Sequence, residues 1–184
     1  MFKFLKFLGA LVLVAGVGVG GYFLYDRVLK DKISEWKGEE FQLIYSYETL
    51  TGLDSDKTPY GLVKGYQGVA PEEIIVEDSF EDNGTKRAVV AVKSNAFKNA
   101  RKTKKIEFPA SVAIFGYNVF KGCDNLETAI FKMPKEMAPS IGFYGSFDTV
   151  DWNKTTFYVT CEEIQESMVS AYADANVVVD PALA

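Results

Sequence analysis

The chain has 184 residues, 48% of them hydrophobic and 24% charged, with a net charge of −5. This is the composition of a globular rather than a disordered chain, and its acidic balance lacks the basic field that a nucleic-acid surface requires. There is no histidine, which removes the commonest general base, the usual zinc ligand and the usual pH switch together.

Residues 7–25 (FLGALVLVAGVGVGGYFLY) carry no charge, with Lys3 and Lys6 before them and Asp26, Arg27, Lys30, Asp31 and Lys32 after them. As a helix this run spans about 29 Å, close to the hydrocarbon thickness of a bilayer. Backbone groups in lipid pair only internally, which favours a helix. Gly16 and Gly20 match the small-xxx-small spacing of paired membrane helices. Two readings stay open: an uncleaved membrane anchor and a cleavable secretory signal. Residues 1–32 read as the anchor, because the run is long for a signal core and no clear A-x-A site follows it. Positive charge is nearly balanced across the run, so orientation rests on how signal-like N-termini insert, with the N-terminus inside. Residues 33–40 read as a juxtamembrane stalk and 41–184 as one domain.

Beyond residue 40 short apolar runs are punctuated by Gly, Pro and Asp. They are too short for helices and predict strands. The expected strands are 41–47, 61–65, 73–76, 88–92, 106–108, 112–115, 128–133, 141–144, 156–159 and 177–179. One helix is expected over 161–172, with Thr160 as its N-cap, Glu162 and Glu163 in its first turn, and Ile164, Met168 and Tyr172 on one face.

An internal repeat organises these runs. SNAFKNARKTKKIEFPASV at 94–112 returns as YNVFKGCDNLETAIFKMP at 117–134. Phe97 aligns with Phe120, a step of 23, and Phe108-Pro109 with Met133-Pro134, a step of 25. A decayed third copy places Phe147 with Phe120 and Phe157-Tyr158-Val159 in the strand; a partial copy places Ile74-Ile75-Val76 there. One unit of that length cannot bury its own apolar face, so units must stack into a solenoid with phenylalanines plugging the interior. Its open strand edges need caps, here strands within 41–66 at one end and the helix at the other.

Asn95-Ala96-Phe97, Phe108-Pro109-Ala110-Ser111-Val112 and Val119-Phe120-Lys121-Gly122-Cys123-Asp124-Asn125-Leu126 resemble the BspA-type leucine-rich repeats of bacterial surface proteins. The match is densest over 92–134. Thr103 replaces the pattern's leucine, the segment 126–134 holds two extra residues, and the third copy lacks the cysteine and leucine. The resemblance implies a mainly β fold, a short leucine-rich-repeat solenoid with a C-terminal capping helix, and the uncharged run at 7–25 places one N-terminal transmembrane helix before it. The resemblance also implies a non-enzymatic recognition or adhesion module whose partner is another protein or a host surface molecule; the apolar run at 7–25 would hold it at a bacterial cell membrane. If the first segment is cleaved, the protein is secreted. A structural or assembly component of an envelope membrane complex is the alternative.

No catalytic, cofactor or metal set emerges. Ser-His-Asp and Cys-His arrangements require histidine, and no phosphate-binding glycine loop follows a strand. The carboxylate pairs Glu39-Glu40, Glu72-Glu73, Glu81-Asp82 and Glu162-Glu163 read as solvated turns and helix starts. Asp54-Ser55-Asp56 lacks the rest of a calcium loop. The run Arg101-Lys102-Thr103-Lys104-Lys105 reads as a solvated coil edge, or else as a surface for an anionic partner or lipid headgroups. Cys123 and Cys161 read as two free, buried thiols, since a lone cysteine in an apolar context is usually a small buried hydrophobe, with one disulfide between them as the alternative in an oxidising compartment. With Ile106, Phe108, Phe157 and Val159 pointing inward, Ile75, Glu107, Lys132 and Tyr158 form the expected outward contact row.

Overall fold

The computed structural model describes residues 30–49, 59–140, 142–143 and 145–184. The apolar run at 7–25 and the Asp54-Ser55-Asp56 triplet lie outside the described residues. A first unit ends at Glu40 and a second runs over Phe41–Ala184. In the first, helix α1 (Lys30–Lys37) stops at Gly38, whose φ of +67° is the left-handed conformation that suits glycine. The Glu39 N–H then reaches back to the Ser34 carbonyl at 3.0 Å and the Gly38 N–H to that of Glu35 at 3.2 Å, a Schellman stop. Among the described residues no helix is long and apolar enough to cross a membrane.

The second unit is a stack of coils. Its elements in order are β1 (Gln42–Thr49), β2 (Pro59–Gln67), β3 (Glu73–Ile75), β4 (Ser79–Asp82), β5 (Thr85–Val92), β6 (Lys105–Phe108), β7 (Ile114–Phe115), β8 (Thr128–Phe131), a 3-10 helix (Lys135–Ser140), β9 (Thr156–Val159), α2 (Glu162–Ala171), β10 (Val177–Val179) and a 3-10 turn (Pro181–Leu183). Strands one coil apart run in the same direction, so the second sheet is built from parallel pairs, while the first mixes parallel and antiparallel ones. The first sheet joins β1, β2, β5 and β4, with β7 also on β5; the second runs β10-β9-β8-β6-β3. Among the described residues only the β1–β2 and β4–β5 pairs are antiparallel.

The second sheet keeps its register across every coil. Ile106 pairs with Ala129 and Ala129 with Phe157, and Phe108 pairs with Phe131 and Phe131 with Val159. All six are fully buried, as is Ile74 beside them. Phe97, Phe120 and Phe147 form a second column inside the coils. The Phe120 and Phe147 rings stack at 5.5 Å, and Phe97 lies 6.2 Å from Phe120. Phe115 and Phe143 form a third, 5.8 Å apart. Each fully buried ring is worth about 1.5–3 kcal/mol of transfer free energy, so the columns are the main source of stability. The third copy therefore keeps the solenoid's aromatic plug and its strand.

The corner before each plug requires a left-handed residue. Asn95, Asn118 and Gly145 take φ of +60°, +53° and +75° at the same point of successive coils. Asparagine and glycine are the residues that adopt this conformation readily. Backbone donors at these corners reach the next coil: Phe97 N–H to Val119 and Asn118 N–H to Gly145.

Several expectations change. Phe108 pairs with Phe131, not Met133, so the step is 23 and the two extra residues fall after the strand, at Lys132 and Met133. Matching Pro109 to Pro134 misplaced them. Strand β4 was not expected; it pairs with β5 through Asn83-Gly84, whose φ values of +49° and +79° make the tight turn. In the expected strand 141–144 only Gly142 and Phe143 are described, and Gly142 makes a single bridge to Ile114. The expected strand 112–115 shortens to Ile114–Phe115, since Val112 closes a turn onto Pro109. Helix α2 is capped at Cys161, not Thr160; the Thr160 hydroxyl instead donates to the Met133 carbonyl.

That last bond belongs to a pattern. Thr103 donates to the Pro71 carbonyl at 2.7 Å, Thr155 to Leu126 at 2.8 Å, Ser146 to Phe115 at 3.2 Å, and the Cys123 thiol to Phe97 at 3.1 Å. Each polar group reaches a carbonyl of the preceding coil. A buried hydroxyl is tolerable only with such a partner. Thr103 thus stands where the repeat pattern has leucine without leaving an unpaired group.

Candidate functional site

The outer surface of the second sheet follows from the same register. Residues alternate in and out along each strand. The inward set is Ile74, Ile106, Phe108, Ala129, Phe131, Phe157 and Val159, so the residue between each inward pair faces out. The outward row is Ile75, Glu107, Ile130, Tyr158 and Val178, each paired with the next. At the strand spacing, five positions extend over about 19 Å. Ile75 is 57% exposed and Val178 41%; Ile130 and Tyr158 are half-buried.

Of the four residues expected on this row, Ile75, Glu107 and Tyr158 occupy it. Lys132 stands one residue past β8, and Ile130 holds the place assigned to it. Lys132 nevertheless reaches back: its Nζ lies 2.5 Å from Glu107 Oε1. Lys105 approaches the same carboxylate at 3.9 Å. The only acid of the row is thereby neutralised, which leaves a largely hydrocarbon stripe with charges at its margin. Beside it lies a hollow of about 450 Å³ lined by Ile75, Val76, Glu77, Asp78, Glu107, Pro109, Ala110, Ser111 and Lys132. It gathers three of the four expected residues; Tyr158 lies further along the row. Ile130 was missed through the two-residue slip, although the Thr128–Phe131 alternation around the apolar Ala129 and Phe131 carries its signal.

The basic run is not a free cationic patch. Lys104 Nζ is 2.9 Å from Glu72, and Lys105 is ion-paired with Glu73. These carboxylates hold both ammonium groups above their ordinary pKa. Lys135 and Glu163 pair between the 3-10 helix and the first turn of α2, with Lys135 raised and Glu163 lowered. Such exposed pairs contribute little stability, but they set where charge sits around the stripe.

Both cysteines are free. Burial of the Cys123 thiol, which donates to a carbonyl, pushes its pKa to about 12. It is not placed to act as a nucleophile, which requires a thiolate. A smaller hollow of about 210 Å³ beside it is lined by Phe120, Asp124, Leu126, Thr149, Asp151 and Lys154 among others. Among the described residues no three His, Cys, Asp or Glu side chains gather to hold a metal.

Coils of about 23 residues, each with one parallel strand, aromatic plugs and carbonyl-stapled polar groups, define a solenoid of the leucine-rich-repeat class. The family described as the BspA type leucine rich repeat region matches residues 77–176 in six copies. That is more than half of the sequence, and the chain belongs to this family. Two solved structures are similar. A leucine rich cell surface protein from Faecalibacterium prausnitzii A2-165 shares 13% identity over 77% of this chain and 30% of that one, with a TM-score of 0.38. A leucine-rich repeat protein from Bacteroides ovatus ATCC 8483 shares 19% identity over 75% of this chain and 36% of that one, with a TM-score of 0.39. The chain spans about a third of the length of either. A comparison with curated proteins finds no match.

Proposed function

We propose that this chain is a non-enzymatic, single-pass membrane protein of a bacterial surface, whose repeat domain recognises another protein or a host surface molecule outside the cell. The observation that carries the reading is the in-register outward row, with Ile75, Ile130, Tyr158 and Val178 apolar and Glu107 neutralised by Lys132. Aromatic and aliphatic groups on a rigid sheet, rimmed by charge, suit a protein contact. The uncharged run at 7–25 supports the anchor, and membership of the BspA-type repeat family supports the surface location.

The row is tested by reversing charge. Glu107→Lys and Lys132→Glu, each assayed against the partner identified by cross-linking on intact cells, are expected to weaken binding by about tenfold, or about 1.4 kcal/mol. Combining them restores the ion pair and is expected to recover part of the loss. Unchanged binding in both single variants removes this face from the account. A partner that is a constant membrane component would favour the assembly role instead.

A further inference from the structure

We propose that β3 is a docking edge that takes an extended segment of a partner protein as an added strand, through its main chain. The two ends of the second sheet differ. At the β10 end, Phe157 donates to the Asn176 carbonyl and Asp180 to that of Val159, both at 2.8 Å. The backbone groups of residues 176, 178 and 180 therefore face β9, and the N–H and C=O groups of Val177 and Val179 point away from it along the edge. That edge is blunted: Gln165 of α2 donates its Nε2 to the Val177 carbonyl at 2.7 Å. At the β3 end, Lys105 donates to the Glu72 carbonyl at 3.1 Å and Val76 to that of Glu107 at 2.9 Å. Residues 72, 74 and 76 face β6, and the N–H and C=O groups of Glu73 and Ile75 turn outward. Among the described residues nothing pairs with them. An open row of this kind beside a 57%-exposed isoleucine is a template for another strand, which proteins normally cover or charge.

The surroundings define the occupant. Glu77 and Asp78, which follow Val76 past the end of β3, are exposed, and neither is ion-paired among the described residues. Both line the hollow beside Glu107 and Lys132, and the open row ends at Glu77, whose N–H donates to the Tyr45 hydroxyl at 3.2 Å. They suit a segment with an apolar residue against Ile75 and a lysine or arginine beyond it. A second copy of this chain would set these carboxylates against their own kind, which disfavours self-pairing.

The test uses the full-length chain in lipid nanodiscs, isotope-labelled, and an eight-residue peptide alternating valine and threonine with a lysine at each end. The Glu73 and Ile75 amide signals are expected to shift and their hydrogen exchange to slow. Two control peptides are each expected to bind about tenfold more weakly or worse: one N-methylated at alternate residues, the other with glutamates in place of the lysines. Ile75→Pro, which removes an outward donor and spares the ladder to β6, is expected to abolish the shifts. No change at β3 up to millimolar peptide overturns the proposal. So does equal binding of the N-methylated peptide with shifts at Glu107, Ile130 and Tyr158, an outcome that leaves the outward-row reading intact. A dimer of the peptide-free chain that Ile75→Pro dissociates would assign the edge to a second copy and also overturn it.

Discussion

Single side chains here serve one of two tasks: filling a coil or tying it to the coil before. Phe120 fills, its ring lying within about 6 Å of those of Phe97, Phe108, Phe147 and Phe157. Phe120→Ala is expected to cost about 3–5 kcal/mol, because the neighbouring rings cannot collapse into the gap. Tyr117, 67% exposed on the same coil, is the control, and its alanine variant is expected to stay within about 0.5 kcal/mol of the parent. Urea denaturation compares the two. Cys123 ties. Its pKa near 12 in the folded state lies above the ordinary thiol value of 9.0, so between those values the folded chain holds a proton that the unfolded chain has lost. Stability must then fall as pH rises above about 9, by about 1.4 kcal/mol for each pH unit from this group. Cys123→Ala is expected to lack that part of the slope when denaturation midpoints are followed from pH 8 to 11. An identical slope in both proteins would show that the thiol is not buried as described.

Among the elements, the strands are alike and the ends are not. Helix α2 covers the last coil with Ile164 and Met168, both fully buried, and with Gln165 on the β10 edge. Gln165→Ala leaves the Val177 carbonyl without that donor and is expected to cost about 1 kcal/mol. A urea titration measures it, and no change would mean that water replaces the amide without penalty. The elements also show what the sequence could reveal. Phenylalanines recurring at a constant step were legible, because an aromatic plug has a fixed place in each coil. The strand alternation in 106–108 and 156–159 was legible for the same reason. Strand β4 was not, because its residues Ser79, Phe80, Glu81 and Asp82 show no apolar alternation and pairing with β5 alone makes them a strand. The Asn83-Gly84 turn was the available signal. The register of β8 was misread because a proline after the strand was matched as though it were part of it. The ties through Thr103, Ser146 and Thr155 were hidden because apolar pattern cannot register a hydroxyl whose partner lies a coil away. On the candidate face, Ile75, Glu107 and Tyr158 were legible from alternation, whereas Ile130 needed the correct register.

For the molecule as a whole, the proposed function requires a lipid tether before the stack of coils, with one face and one edge of the stack open to a partner. A domain that recognises molecules outside the cell must lie on that side of the membrane, joined to it by residues just before Phe41. Protease added to intact cells measures this directly, with antibody against the C-terminal residues as the readout. The account predicts that a fragment beginning close to residue 41 is released into the medium from unbroken cells while cytoplasmic markers stay whole. A repeat domain that stays cell-bound and uncut until the cells are lysed would contradict it.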